Sequence, residues 1–212
     1  MENVHVKING IEVEVPANYT ILQAAHEAGI RIPTLCYLKD INAIAACRIC
    51  LVEATGVRGL AAACVQQVAD GMEVKTNTPE LRKSRKTTLE LMLSNHRMDC
   101  LSCVRSDDCE LRRLAHEYGV DQYKYVGNEE LPKAEEAAAG AVDSPRILRD
   151  NSKCILCRRC IAVCQKNQHV AVIGANDRGF ETRRERVRYA AHRDALRKLR
   201  PVRRGLPDGR AA

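Results

Sequence analysis

The 212-residue chain has no Trp, one Phe and six Tyr. So little aromatic surface excludes one large ring-packed core, and small domains of this composition need cross-links that side-chain packing does not supply. A secretory leader is also missing: strand-like sequence begins by Val4 with no basic and then apolar stretch ahead of it. No apolar run approaches the ~20 residues of a membrane helix, so the chain is expected in the cytoplasm with no membrane span. The glycine-rich signatures of nucleotide chemistry are absent too, both G-x-G-x-x-G after a strand and the Walker A loop. No site that converts a substrate is legible in this chain alone. The net charge of +7 is confined: residues 178–212 carry twelve Lys+Arg against four acids, leaving twenty-two against twenty-three elsewhere. The basicity belongs to the tail, and no nucleic-acid partner is expected for the remainder.

What the chain does have is eleven cysteines in three groups. The first is Cys36, Cys47, Cys50 and Cys64. The second is Cys100, Cys103 and Cys109, preceded by His96 in the pattern H-x3-C-x2-C-x5-C. The third is Cys154, Cys157, Cys160 and Cys164. In a reducing compartment, dense x2 spacing indicates metal rather than disulfides. Thiolates select soft metals, meaning zinc, copper(I) or iron–sulfur clusters. A His ahead of cysteines is commonly incidental, but His96 completes a set of four donors, which favours ligation.

Periodicity supplies the frame around these groups. Val4, Val6 and Ile8 alternate with polar residues, Asn9-Gly10 turns the chain, and Ile11, Val13 and Val15 alternate again, a hairpin signal. Thr20-Ile21-Leu22-Gln23 is a capping box opening a helix through Ala28, with Gly29 at its end. Strands are expected over Ile49–Ala54 and Leu60–Val65 and near Met72 to Val74. Thr78-Pro79-Glu80 opens a helix carrying Leu81, Thr88, Leu89 and Met92 on one side, which ends near Asn95 and delivers His96. A further helix from Glu110 to Tyr118 places Leu111, Leu114, Ala115 and Tyr118 on one face. Between Gly127 and Pro145, acidic residues and an Ala run read as a linker.

At Cys36-x10-Cys47-x2-Cys50-x13-Cys64, with Ile32-Pro33-Thr34-Leu35-Cys36-Tyr37 and Ala46-Cys47-Arg48-Ile49-Cys50-Leu51-Val52-Glu53 around them, the chain resembles the [2Fe-2S] domain of [FeFe] hydrogenases. The large iron–sulfur subunit of NADH dehydrogenase is similar. Ala45 stands where those families usually carry Gly. The phrase Leu89 to His96 and the His/Cys3 pattern resemble the His-ligated [4Fe-4S] module of the same families. Cys154-x2-Cys157-x2-Cys160-x3-Cys164 resembles the bacterial ferredoxin run, which gives three ligands to one cluster and its fourth to another. The second run that such a ferredoxin needs does not appear, and Gln165 replaces the usual Pro.

The resemblance implies an α+β chain: a β-grasp [2Fe-2S] ferredoxin-like domain over 1–78, a short helical His/Cys3 [4Fe-4S] module over 79–119, a linker over 120–145, an incomplete ferredoxin-like [4Fe-4S] domain over 146–180, and an irregular basic tail over 181–212. It implies Cys36, Cys47, Cys50 and Cys64 on [2Fe-2S], and His96, Cys100, Cys103 and Cys109 on [4Fe-4S]. Cys154, Cys157 and Cys160 would serve a second [4Fe-4S], with Cys164 its fourth ligand or directed to a further cluster. The implied function is an electron relay of a hydrogenase-like oxidoreductase, or of an NADH dehydrogenase, diaphorase or formate dehydrogenase. Its implied partners are ferredoxin, a flavin- or NAD(P)H-oxidising subunit, and a hydrogenase catalytic domain if the gene continues. A zinc-binding nucleic-acid protein that uses the basic tail is the alternative of another class.

The tail raises one more expectation. Leu196, Leu199, Val202 and Leu206 are separated by three, three and four residues, the spacing of the missing motif. Each is followed by a residue (Arg197, Arg200, Arg203, Pro207) whose codon can begin with C, so a shifted frame can spell cysteine at all four. Residues after about Glu181 are therefore expected to be an out-of-frame reading of that motif. A genuine basic helix is the competing account.

Overall fold

The computed structural model describes residues 2–120, 125, 150–176 and 182–186. The chain divides into two compact units, one of Met1–Tyr37 with Ala43–Thr88 and the other of Leu38–Asn42 with Leu89–Ala212. The architecture is α+β. Of the expected linker and basic tail, only Val120, Tyr125 and residues 182–186 lie within the described residues.

The first unit is built on a five-stranded mixed sheet. Strand β1 (Asn3–Ile8) buries every second residue, Val4, Val6 and Ile8, as its alternation requires. Asn9 and Gly10 both take positive φ, 49° and 89°, the two-residue turn that matches strand twist, and return the chain as β2 (Ile11–Pro16). Helix α1 (Ile21–Glu27) follows, and its capping box is formed. Thr20 Oγ1 accepts from the Gln23 amide at 3.3 Å and Gln23 Oε1 accepts from the Thr20 amide at 2.8 Å.

Strands β3 (Leu51–Ala54), β4 (Leu60–Ala62) and β5 (Met72–Lys75) complete the sheet in the order β2-β1-β5-β3-β4. Strand β5 runs parallel to β1, pairing Val6 with Met72 and Ile8 with Val74, and all other pairings are antiparallel. Ile21, Ala24 and Ala25 of α1 join Val6, Ile8, Val15, Val52 and Val74 in one core. Each large aliphatic buried there contributes about 1.5–3 kcal/mol. The two alanines bury no bulk, which suits a helix laid close to a sheet.

Two strand ends differ from the sequence expectation. Apolar character continues through Ile49 and through Val65, yet β3 starts at Leu51 and β4 stops at Ala62, with turns at 49–50 and 63–65. Cys50 and Cys64 sit in those turns. Both strands give up ladder length where the backbone must bend to present a thiol.

Helix α2 (Pro79–Leu93) starts with Thr78 Oγ1 accepting from the Leu81 amide at 3.3 Å and Pro at its first position. Its residues through Thr88 belong to the first unit and those from Leu89 to the second. In the second unit, helix α3 (Glu110–Glu117) buries Leu111, Leu114 and Ala115 and ends at Gly119, with φ +61°. Farther on are a one-turn helix over Arg159–Ala162, a π-helical turn over Val163–Asn167, and a hairpin of β6 (Ile173–Asn176) with β7 (Arg183–Arg186). No described helix is long and apolar enough to cross a membrane.

Candidate metal centres

The first cysteine group forms a dry cradle. Cys36, Cys47, Cys50 and Cys64 are exposed by no more than 4%. Their sulfurs stand as two hydrogen-bonded pairs, Cys36 with Cys47 and Cys50 with Cys64, and charge interactions link one pair to the other. Within each pair the shared bond pushes one thiol up and draws the other down. The bond to Cys47, then burial, pushes the Cys36 thiol far up, while Cys47 is brought down to about 6 by that bond and by amides of Ile49, Cys36 and Leu35. Cys50 is likewise pushed far up by its bond to Cys64, and Cys64 is lowered to about 7 by that bond, with the Ala45 amide also donating. Two linked pairs of thiols suit a two-iron body, with a pair of thiolates for each iron.

The backbone has been bent to make this cradle. Ala45 and Arg48 take φ of 51° and 55°. A left-handed residue turns successive amides toward one side, and such a nest of N–H groups favours an anion. The Cys36 amide donates to Cys47 Sγ at 3.4 Å. A [2Fe-2S] cluster on four thiolates is an anion, so donors aimed at sulfur fit it. At Ala45 the expected Gly would carry the same φ without the Cβ penalty.

Arg85 of α2 was not singled out by sequence reasoning, and it fixes this cradle from beneath. Its guanidinium, 2% exposed, donates to the carbonyls of Ile49 at 3.0 Å, Leu51 at 2.7 Å and Thr76 at 2.9 Å. Ile49 and Leu51 flank Cys50, so one side chain clamps the peptide on both sides of that thiol. A planar fork with several donors does this where the point charge of Lys cannot.

The second group is more open. Cys100 and Cys103 lie on a 3-10 turn and Cys109 caps α3, its Sγ accepting from the Arg112 amide at 3.4 Å. All three thiols are half-buried, and charge interactions tie Cys109 to Cys103 and Cys100. Burial raises the Cys109 thiol, while the helix amides of Arg112 and Leu111 oppose it. His96, 9% exposed, is lowered to about 4, by burial first and then by Lys153, against the pull of Asp99 and Asp150. It is therefore neutral at pH 7, the form in which imidazole binds metal.

The third group holds its thiols on a tight loop and a short helix. Leu156 and Arg158 take φ of 54° and 59°, again left-handed between cysteines. Cys160 and Cys164, four residues apart across the helical turns, are buried together with Val163 and Val172. Leu38 and Ile41, within the spacer between Cys36 and Cys47, pack on this cluster, and Asn42 Nδ2 donates to the Cys157 carbonyl at 3.1 Å. Nothing in the sequence signalled that part of the spacer joins the second unit.

Residues 1–79 match the family model of a 2Fe-2S iron-sulfur cluster binding domain, and residues 85–123 match that of the NADH-ubiquinone oxidoreductase-G iron-sulfur binding region. The chain is 41% identical over 185 residues to the NADP-reducing hydrogenase subunit HndD of Solidesulfovibrio fructosivorans, a match covering 85% of this chain and 31% of that protein. It is 35% identical over 179 residues to the NADH-ubiquinone oxidoreductase 75 kDa subunit of Reclinomonas americana, covering 84% of this chain and 25% of that one. The chain thus spans less than a third of the length of these relatives. The crystal structure of an NAD+-reducing [NiFe]-hydrogenase in its H2-reduced state shares the fold, with a TM-score of 0.76 over 99% of this chain and 80% of that one at 23% identity.

Proposed function

We propose, from a chain whose residues 1–79 belong to the 2Fe-2S iron-sulfur cluster binding domains and whose residues 85–123 belong to the NADH-ubiquinone oxidoreductase-G iron-sulfur binding regions, that it relays electrons within a hydrogenase-type oxidoreductase. The observation that carries this reading is the dry cradle: four thiols in two linked pairs, surrounded by inward-pointing amides. Cys36, Cys47, Cys50 and Cys64 would hold [2Fe-2S]. His96, Cys100, Cys103 and Cys109 hold [4Fe-4S]. Cys154, Cys157 and Cys160 serve a second [4Fe-4S], with Cys164 completing it or reaching a further cluster.

The bound clusters supply reversible one-electron chemistry. The protein excludes water from the first group, donates N–H to its sulfurs, and keeps His96 neutral. A neutral His96 imidazole in place of a thiolate would remove one negative charge from the ligand set and would raise the potential of a cluster held there. The relay's partners are a flavin- or NAD(P)H-oxidising subunit or ferredoxin on one side and a hydrogenase-type catalytic domain on the other. A second reading, a relay subunit of an NADH dehydrogenase, draws on the oxidoreductase-G match over residues 85–123.

His96→Cys tests the ligand assignment. The variant is expected to lower the midpoint potential of the middle cluster in an EPR-monitored redox titration; an unchanged or higher midpoint counts against His96 as ligand. For the tail after Glu181, the gene's nucleotide sequence is the test. Four in-phase cysteine codons in another frame support an out-of-frame segment, and a stop codon there removes that account.

A further inference from the structure

Lys153 is 1% exposed, one of the most deeply buried side chains in the protein and a cation by its chemistry. Burying an ammonium is unfavourable by several kcal/mol unless a partner offsets it. The partner is Asp99, whose carboxylate forms an ion pair with Lys153 Nζ and a second one with Arg97 at 2.8 Å. Asp99 directly precedes Cys100, and Lys153 directly precedes Cys154. The same two segments are joined again where the Arg97 amide donates to the Ser152 carbonyl at 2.9 Å. Asp150 accepts from the Ser152 amide at 2.9 Å and sets the turn that points Lys153 inward.

Neither ligation nor the fold requires a buried cation at this place. An apolar side chain of similar length would fill the volume without the desolvation cost. What the ammonium adds is a fixed positive charge in a low-dielectric setting, within reach of two ligand loops at once. Charge near an iron–sulfur cluster sets how readily it takes an electron.

We propose that Lys153 is a potential-setting residue shared by the His96–Cys109 and Cys154–Cys164 loops, its ammonium stabilising the reduced clusters and Asp99 tempering that effect. The proposal rests on the ligand reading above. On reduction one electron enters a [4Fe-4S] cluster, taking its charge from 2+ to 1+ for the inorganic core. The nearby cation then faces one more negative charge, so the midpoint is higher than it would be without it. The pair of loops becomes a place where electrons settle in transit.

The test is an EPR-monitored redox titration of the full chain, prepared anaerobically and reduced by dithionite through mediators. Lys153→Met is expected to shift the midpoint of the His96–Cys109 cluster downward, Lys153→Arg to leave it close to the parent value, and Asp99→Asn to shift it upward. Opposite signs from the two halves of one ion pair cannot come from simple loosening of the loops, which would move both variants the same way. Unchanged midpoints in both Lys153→Met and Asp99→Asn overturn the proposal, as do shifts of the same sign. If Lys153→Met does not assemble, Asp99→Asn alone decides, since an upward shift is required. Absence of any iron–sulfur signal from the unaltered chain is a different failure, that of the ligand reading itself.

Discussion

The first cysteine group and the two that follow it all offer thiols, the second with the His96 imidazole beside them, but they are built differently. Around Cys36, Cys47, Cys50 and Cys64 the thiols are dry, and the buried Arg85 donates to the backbone carbonyls of Ile49, Leu51 and Thr76. Around Cys100, Cys103, Cys109 and Cys154 the thiols are half-buried and the nearby charges, Lys153 and Asp99, are held against each other. In the first region a sheet supplies the rigidity and Arg85 locks one loop onto it. In the second, the thiols sit on short turns, with the Lys153–Asp99 ion pair beside them and Cys109 capping α3. The lesson is that a buried cation can be a structural clamp or an electrostatic element, and its partners tell which.

The sharpest way to break this comparison is to remove one thiol. Cys50→Ala is expected to abolish the [2Fe-2S] signal in visible circular dichroism and EPR while leaving the [4Fe-4S] signals in place, because the groups draw on separate ligand loops. Loss of all signals together would deny that separation.

Next in size is Arg85→Met. It leaves the carbonyls of Ile49, Leu51 and Thr76 without this donor in a dry site, and is expected to destabilise the first unit by roughly 3–5 kcal/mol. Denaturant unfolding followed by the [2Fe-2S] absorbance measures it. Arg85→Lys should recover only part of the loss, since a point charge cannot reach carbonyls on both sides of Cys50.

Acid acts on the other region. His96 sits at about 4 in the folded chain against an ordinary 6.5. The unfolded chain therefore takes up the proton first, so stability is complete above 6.5 and falls as pH drops toward 4. The loss is about 3 kcal/mol for the cluster-free chain. Urea midpoints recorded from neutral pH downward check this, and His96→Gln should flatten the dependence.

The smallest effect belongs to Ala45, at φ 51°. Ala45→Gly removes the left-handed penalty but loosens the unfolded chain, for a net gain of about 0.5–1 kcal/mol. A higher melting temperature for the variant is the expected result.

These contrasts also mark where the sequence was legible. The hairpin through Asn9-Gly10, the capping box at Thr20 and the α3 face of Leu111, Leu114 and Ala115 follow from local rules, because periodicity and turn chemistry act within a few residues. The cysteine groups were legible because spacing alone restricts which thiols a loop can bring together. Hydrophobic alternation ran past the true strand ends at Ile49 and Val65, since an apolar residue beside a ligand-bearing turn looks like one in a strand. Arg85 and Lys153 gave no signal, because charged residues are ordinarily solvated and their burial depends on carbonyls and carboxylates far away in the chain. The packing of Leu38 and Ile41 against Cys160 is non-local in the same way.

The central claim is that one chain holds two kinds of cluster on distinct ligand sets. A Mössbauer spectrum of the full chain, isolated anaerobically, tests it most directly. The account predicts a [2Fe-2S] component alongside [4Fe-4S] components, with only the former missing from Cys50→Ala. A spectrum of one cluster type, or a colourless protein that carries zinc in place of iron, would contradict it.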